Sequence, residues 1–242
     1  MPERTVLFSL SLMVKNTDIT GERDPRTGPD MIMVRHGESE ANVAGLWQGH
    51  IESPLSPLGR EQAMSVGRAL AERFGPVAAI YSSPLGRARQ TARAIARQTG
   101  FSGELQLVDG LIERHGGRLQ GHRWVDYAAE HPELAERFIT APESERWDIF
   151  GAEGTDSVTD RARRAVKRIS ERHSAGEVVV LTTHGGLLKA FIAETFGPEV
   201  FGKEVRVPNT SITGVRYVGG EPQLVELANT AHLKNITVQP SD

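Results

Sequence analysis

The chain has 242 residues and no cysteine, and its 28 basic and 31 acidic side chains leave a formal charge of −3. This length favours one sizeable α/β domain, and the balanced charge gives no reason to expect a nucleic-acid or membrane partner. The lack of cysteine excludes disulfides, thiolate catalysis and cysteine-ligated zinc, and it is compatible with the reducing cytoplasm, which we predict as the location.

The first thirty residues are predicted to form an N-terminal extension, followed by one domain over residues 31–242. The apolar run TVLFSLSLMV at residues 5–14 is far shorter than the roughly 20 residues that span a bilayer. Only Arg4 flanks it as a basic residue and no small-residue cleavage site follows, which disfavours a signal peptide. The run is therefore interpreted as an extra strand or a leader, with a linker rich in Gly, Pro and charge behind it.

From Met31 onward, short apolar runs alternate with amphipathic stretches, a pattern typical of βαβ units. The first predicted strand is MIMV at residues 31–34. The next stretch predicts a helix that is capped by Ser56 and has Pro57 in its first turn. Its apolar face is predicted to comprise Ala63, Val66, Leu70 and Phe74.

A second unit of the same kind follows, with a strand predicted at residues 77–81 and a helix start at Ser83 and Pro84. The apolar face of this helix is predicted to comprise Leu85, Ala88, Ala92 and Ile95. A third helix is predicted to end just before Gly176, with Val158, Ala162, Ala165 and Ile169 on its apolar face.

The strand at residues 178–181 is apolar throughout, so it is predicted to be central and buried on both faces. Residues 211–227 predict two strands around a Gly-Gly turn at an edge of the sheet. Residues 110–154 break the alternation and are predicted to be a capping insertion. The predicted fold is three-layer α/β/α, with a mostly parallel central sheet and helices on both faces.

Polar and cationic residues follow three of the predicted strands. Arg35 and His36 follow the first, Arg87 the second, and His184 and Gly185 the third. Ligands of open α/β sheets bind at the carboxyl ends of the strands, so we expect these side chains to meet in one crevice. Two arginines and two imidazoles suit a phosphoryl group, and we expect further N–H donors from the helix start near Arg87.

Four segments, in this order, resemble the signature blocks of the histidine phosphatase superfamily, whose fold is phosphoglycerate mutase-like. They are RHGESEAN at residues 35–42, YSSPLGRARQTA at 81–92, LIERHGGRLQG at 111–121 and VVVLTTHGG at 178–186. One such motif is moderate evidence, whereas four in the right order are specific. The resemblance implies an enzyme that needs no metal and no other cofactor.

The resemblance also implies a role for each matching position. His36 would accept the phosphoryl group and form a phosphohistidine, and Glu113 would donate a proton to the leaving oxygen. The phosphate would be held by Arg35, Asn42, Arg87, His184 and Gly185. A sharp turn at Gly37 would let the nearby backbone hold the second imidazole nitrogen of His36 as a donor.

The remaining substrate pocket has four candidate residues: Gln48, Gly49, Arg114 and Glu153. Glu153 is interpreted as a supporting residue because Gly154 replaces a serine of the family pattern, and Glu38 is interpreted as a tether around Arg35. The other histidines are interpreted as structural: His50, His115, His122 and His232. The aromatic residues of the insertion would either contact an apolar or sugar-like leaving group or pack the cap: Trp124, Tyr127, Phe138, Trp147 and Phe150.

Phosphatase and mutase activity both remain open. The third block resembles the mutase version, yet Gly116 replaces a tyrosine, and residues 122–142 lack the Arg-Arg pair and the lysine that hold a second phosphate. Arg123, Arg137 or Arg146 could substitute. A mutase must retain a bisphosphorylated intermediate in a dense cationic pocket, so we favour a phosphatase acting on a small phosphorylated metabolite.

Two other functions are less favoured by the sequence, and the oligomeric state is left open. A non-catalytic phosphate-binding regulatory domain is less favoured, because it would be expected to lose His36, Glu113 or His184. A zinc hydrolase is disfavoured because it would leave Arg35 and Arg87 beside the metal without a role. A homodimer is possible.

Overall fold

The computed structural model describes residues 27–202, 206–218, 220–234 and 236. The predicted strand or leader at residues 5–14 lies outside these residues. The strands are β1 (Thr27–Arg35), β2 (Ala79–Ser82), β3 (Gln106–Leu107), β4 (Val178–Thr183), β5 (Ile212–Val218) and β6 (Glu221–Asn229). The α-helices are α1 (Glu40–Val43), α2 (Pro57–Phe74), α3 (Gly86–Thr99), α4 (Trp124–Glu130), α5 (Pro132–Thr140), α6 (Glu143–Arg146), α7 (Thr155–Ser170) and α8 (Gly185–Phe196). Short 3₁₀ helices lie at Asp109–Leu111, Gly117–Leu119, Asp148–Phe150, Pro198–Phe201 and Ala231–Leu233.

The six strands form one open sheet in the order β3-β2-β4-β1-β5-β6. The first four are mutually parallel, and β5 and β6 form an antiparallel hairpin at the edge beside β1. The mostly parallel sheet and the terminal hairpin predicted from the sequence are confirmed. The carboxyl ends of β2, β4 and β1 therefore lie side by side.

Side-chain alternation along the buried strands creates two apolar layers. Met31, Met33 and Leu181 face a cluster that contains the apolar stripes of α7 and α8. Ile32 and Val180 face the opposite cluster, which contains the stripes of α2 and α3. Helices thus cover both faces of the sheet, and the three-layer prediction is confirmed.

Strand β1 begins at Thr27, four residues before its predicted start. Only residues 31–34 are apolar, so the pattern predicted only the part of the strand that is buried on both faces. The residues of β1 before Met31 are not held by apolar burial alone, because Asp30 forms an ion pair with Arg216 of β5 at 2.6 Å. The linker interpretation of residues 27–30 was therefore wrong.

Two predicted helix boundaries differ from the structure, and one agrees. Ser56 caps α2 through its hydroxyl, which accepts from the Gly59 N–H at 2.9 Å, as predicted. Ser83 does not occupy the N-cap position of α3, which is Leu85; its hydroxyl accepts from the Leu85 N–H at 3.3 Å and contacts His184. Helix α7 ends at Ser170, so Gly176 is not its cap.

Residues 110–154, the predicted insertion, contain α4, α5 and α6, and an apolar cluster is built around Leu119, Tyr127 and Phe150. Trp47, which precedes the insertion in the chain, packs against this cluster. Within the part of the chain that the structure describes, no helix is long and apolar enough to cross a membrane.

Candidate active site

A cavity of about 900 Å³ opens at the edge where β1, β2 and β4 end. The strand ends bring together side chains that lie up to 149 positions apart in the sequence, such as Arg35 and His184. Predicted site residues that line the cavity are Arg35, His36, Asn42, Gln48, Gly49, Arg87, Glu113 and Arg114. Most of the predicted site thus meets at one place, as parallel strands require.

The imidazole of His36 is held in one orientation by the backbone that follows it. Its Nδ1 lies 2.7 Å from the carbonyl oxygen of Gly37. A carbonyl only accepts hydrogen bonds, so Nδ1 carries the proton and Nε2 keeps its lone pair. Glycine is required at position 37, because a Cβ there would lie 2.4 Å from the carbonyl oxygen of Gly59.

The environment of His36 keeps its ring neutral. Burial lowers the pKa of His36 well below 6.5, and the positive charges of Arg35 and Arg87 lower it further, against a smaller opposing effect of the Gly37 carbonyl. Its side chain is almost fully buried, at 2% exposure. A neutral imidazole with a free Nε2 lone pair is the form that can act as a nucleophile.

His184 lies behind His36 and is completely buried, so it does not itself line the cavity. The two ring centroids are 5.0 Å apart, and His184 Nε2 lies 2.8 Å from the hydroxyl of Ser83. Burial lowers the pKa of His184 well below 6.5, with Arg87 as the next cause. Gly185 is also outside the cavity lining, whereas Gly186 is part of it.

Backbone carbonyls anchor the two arginines. Arg87 donates to the carbonyls of Ile51 and Gly49 at 2.9 and 2.8 Å, and Arg35 donates to that of Val207 at 2.7 Å. Carbonyl partners fix the guanidinium planes without neutralising them, so both charges remain available to an anion. Burial lowers the pKa of Arg87 to about 10, which leaves it charged at neutral pH.

One of the N–H donors expected at the start of helix α3, near Arg87, is already occupied. The Gly86 N–H donates to the carboxylate of Glu52, with a shortest distance of 2.9 Å. An acidic side chain at this end of a helix is favourable because it faces the positive end of the helix dipole. Glu52, 34 positions earlier in the chain, therefore takes the first N–H of the helix, and N–H donation to phosphate from this helix start stays a prediction.

The carboxylate of Glu113 lies at the start of helix α8. It accepts from the backbone N–H groups of Gly186 at 3.0 Å, Leu187 at 2.9 Å and Arg114 at 2.8 Å. Gly186 permits this approach, since a Cβ there would lie 2.7 Å from a Glu113 carboxylate oxygen. Three N–H donors fix the position of the carboxylate at the cavity wall.

The backbone of Glu113 is held by two residues that sequence reasoning did not assign to the site. Its carbonyl accepts from His50 Nε2 at 2.8 Å and from Arg161 at 3.0 Å. Arg161 also forms a two-point ion pair with Glu153, at 2.8 Å for each contact. No motif signals this arrangement, because it joins segments about fifty and sixty positions apart.

Glu153 and Glu38 make structural contacts. Glu153 lies outside the cavity lining, so it is a supporting residue and not a pocket residue. Burial raises its pKa, but hydrogen bonds from Arg161 and Ser157 outweigh burial and hold the pKa below its ordinary value. Glu38 tethers local structure near Arg35, as interpreted from the sequence, because its carboxylate accepts from the Ser56 hydroxyl at 2.7 Å at the start of α2. Both carboxylates therefore stabilise segments around the site.

The outer wall of the cavity is apolar and aromatic. Of the five aromatic residues predicted there, Phe138 and Trp147 line the cavity, and Trp47 joins them. The guanidinium of Arg114 stacks on Trp147 at 4.1 Å. The other three aromatics pack elsewhere in the cap: Trp124, Tyr127 and Phe150.

Cations are unevenly distributed in the outer cavity. Arg146 and Lys189 line it together with Arg114, whereas Arg123 and Arg137 are not among its lining residues. Arg146 donates to the carbonyl of Ala141 at 3.1 Å. No three His, Asp or Glu side chains converge as a candidate metal site among the described residues.

The comparisons with known proteins agree with this geometry. The model of the histidine phosphatase superfamily (branch 1) matches residues 31–230. The chain belongs to the histidine phosphatase superfamily. A metal-independent phosphoserine phosphatase of Arabidopsis thaliana is 40% identical over 161 residues, which cover 66% of each chain.

Two further similarities extend the comparison. A glucosyl-3-phosphoglycerate phosphatase of Mycolicibacterium vanbaalenii is 35% identical, over 69% of this chain and 74% of that one. The crystal structure of a phosphoglycerate mutase from Bacillus anthracis superposes with a TM-score of 0.75 at 22% identity, over 87% and 98% of the two chains, which establishes the fold. This histidine phosphatase is therefore an enzyme of the phosphatase type, with a phosphoglycerate mutase-like fold.

We predict that this histidine phosphatase loses stability as the pH falls below 6.5, the ordinary pKa of a histidine. The unfolded chain binds a proton there, whereas buried His36 stays neutral, so acid stabilises the unfolded state. From about pH 7.5 to about pH 5.5 this effect amounts to about 1.4 kcal/mol per buried histidine. Urea unfolding should therefore show a pH-dependent loss that is smaller by about this amount in His36→Gln, and likewise in His184→Gln. An identical loss in all three proteins would contradict the neutral state of the buried rings.

Proposed function

We propose that the protein hydrolyses phosphomonoesters through a phosphohistidine formed on His36, and that its substrates are small metabolites whose leaving group carries a carboxylate. The observation that carries the proposal is the fixed, neutral imidazole of His36. Its Nδ1–H is held by Gly37, and its ring lies beside two arginines whose guanidinium groups are held by backbone carbonyls and form no ion pair with a carboxylate among the described residues.

In the first step, the Nε2 lone pair of His36 attacks phosphorus and the bond from phosphorus to the ester oxygen breaks. Glu113, protonated at that moment, gives its proton to the departing oxygen, which leaves as an alcohol. Arg35 and Arg87 hold the equatorial oxygens, where negative charge is concentrated. Because backbone carbonyls already hold both guanidinium groups in place, neither group has to reorient during the reaction.

In the second step, a water molecule attacks the phosphohistidine and transfers a proton to the Glu113 carboxylate. The bond from phosphorus to Nε2 breaks, inorganic phosphate leaves, and the neutral imidazole is restored. Glu113 thus alternates between acid and base, as microscopic reversibility requires. The N–H donors of Gly186 and Leu187 hold the carboxyl group in one position through both steps.

The outer cavity supports the proposed leaving group. Its volume of about 900 Å³ far exceeds the space that one phosphoryl group fills. Trp47, Phe138 and Trp147 offer flat surfaces, and Arg114 and Lys189 offer cationic partners for a carboxylate. Phosphoserine and glucosyl-3-phosphoglycerate, named in the descriptions of the relatives, both carry this group.

We predict phosphate release, in the presence of a chelator, that requires His36 and prefers carboxylate-bearing esters. The substrates form matched pairs: phosphoserine with O-phosphoethanolamine, and 3-phosphoglycerate with glycerol 3-phosphate. In each pair the first member should have the higher kcat/KM, since only it can bind the cations of the outer cavity. Glucosyl-3-phosphoglycerate and an aryl phosphate extend the series to large and apolar leaving groups.

His36→Ala is the control and should reduce release by at least about a thousandfold while the protein stays folded. Equal rates within each pair would reject the carboxylate preference but leave the phosphatase intact. Release that persists in His36→Ala, or that stops with the chelator, would reject the mechanism. Phosphoryl exchange between phosphoglycerates in place of release, with bisphosphoglycerate as primer, would reveal a mutase.

We predict that Glu113→Gln slows esters with poor leaving groups more than esters with good ones. A glutamine keeps the size of the side chain but cannot donate a proton to an alkoxide. The expected loss in kcat/KM is about a hundredfold or more for phosphoserine and much smaller for an activated aryl phosphate. Parallel losses on both substrates would indicate that Glu113 does not act as the acid.

The homodimer, the cytoplasmic location and the division into an extension at residues 1–30, a domain at 31–242 and a cap at 110–154 stay predictions, except that residues 27–30 belong to strand β1. The family match begins at residue 31. Gel filtration of the full chain measures the oligomeric state independently of catalysis.

A further inference from the structure

We propose that Asn209 is a positioning residue of the phosphate site, which turns the side-chain amide of Asn42 so that its NH₂ group faces the phosphoryl group. The inference rests on the proposed function, since it concerns how the same site binds phosphate. Asn209 lies in the segment before β5, far in sequence from the motifs that resemble the family blocks.

The orientation of the Asn209 amide follows from its partners. Its Nδ2 lies 3.0 Å from the backbone carbonyl oxygen of His36 and 3.2 Å from Oδ1 of Asn42. A backbone carbonyl only accepts, so the atom of Asn209 that faces it must be the nitrogen. The same NH₂ group then directs its second hydrogen at Asn42.

The orientation of the Asn42 amide is set by three contacts to its Oδ1. The backbone N–H of Ser39 lies 3.1 Å away, the Ser39 hydroxyl 3.0 Å away and the NH₂ group of Asn209 3.2 Å away. The two N–H donors cannot accept, so a flipped Asn42 would place its own NH₂ against both. Its Nδ2 therefore points away from them, on a residue that lines the cavity, and has no acceptor among the described residues.

Gln48 provides a contrast on the same wall of the cavity. Its Oε1 lies 2.9 Å from the hydroxyl of Ser39, a group that can donate or accept. The amide of Gln48 is therefore free to present either end to a ligand, whereas that of Asn42 is not. Of these two amides, only that of Asn42 is held with its NH₂ group toward the cavity, and Asn209 supplies one of the two N–H donors that hold it.

Asn209 is itself held by a constrained neighbour. Thr210 has a φ of +55°, a left-handed conformation that is rare for a β-branched residue. Its N–H donates to the carbonyls of Arg35 and His36 at 3.0 and 3.3 Å. Its hydroxyl donates to the carbonyl of Asn209 at 2.8 Å and lies 3.2 Å from Nε2 of His232. Such conformations persist where the surroundings over-determine them, so Asn209 has little freedom to move.

The test measures the affinity of inorganic phosphate by titration calorimetry, which needs no turnover. Asn209→Ala should weaken phosphate binding about tenfold, because Asn42 then loses one of the two N–H donors that hold its oxygen away from the anion. Asn42→Ala should weaken it by at least as much. In the double variant, the loss should equal that of Asn42→Ala alone, because Asn209 acts through Asn42.

Asn229→Ala is the matched control, since its amide contacts Glu226 in β6 and phosphate affinity should not change. If Asn209→Ala fails to fold, Asn209→Ser, which keeps one donor, takes its place with a smaller expected loss. Unchanged affinity in the Asn209 variant, or losses that multiply in the double variant, would overturn this proposal alone. A wild type that binds phosphate yet fails to hydrolyse any ester would overturn the proposed function alone, and one that binds no phosphate would overturn both.

Discussion

The site depends on the hydrogen bond between Nδ1 of His36 and the carbonyl of Gly37, at 2.7 Å. Burial and the adjacent arginines keep the ring neutral, but only this bond decides which nitrogen carries the proton. The bond in turn needs a glycine, because the loop after β1 passes within van der Waals contact of the start of α2. The proposed chemistry thus depends on close contact between the backbones at positions 37 and 59, which any side chain at position 37 would prevent.

The second feature of the site is that its positively charged groups are held in position before an anion binds. Arg35 and Arg87 are anchored by carbonyls, and the carboxylates nearest to them are committed to helix starts: Glu52 at α3 and Glu113 at α8. Neither arginine forms an ion pair with a carboxylate among the described residues, so both guanidinium groups can bind an anion beside His36. In a buried site this arrangement is worth more than it would be in water.

The sequence predicted what depends on local pattern and on strand ends. The alternation of short apolar runs with amphipathic stretches predicted the sheet and its helices. The rule that ligands bind at the carboxyl ends of parallel strands predicted that Arg35, His36 and Arg87 lie close together. Sequence patterns did not predict contacts between distant segments. Ser83 looks like a helix cap, yet its hydroxyl faces His184, which is 101 positions away. The contact of Arg161 with Glu113 and that of Asn209 with Asn42 likewise leave no local signal.

The most direct test of the account is to trap the phosphorylated enzyme. The wild type and His36→Ala are mixed with phosphoserine, quenched within milliseconds in alkali, which preserves phosphohistidine, and digested for mass spectrometry. The account predicts one phosphoryl group on the peptide that contains His36, and none in the variant. A wild type that hydrolyses phosphoserine without a phosphorylated peptide, or with the group on another residue, would contradict it.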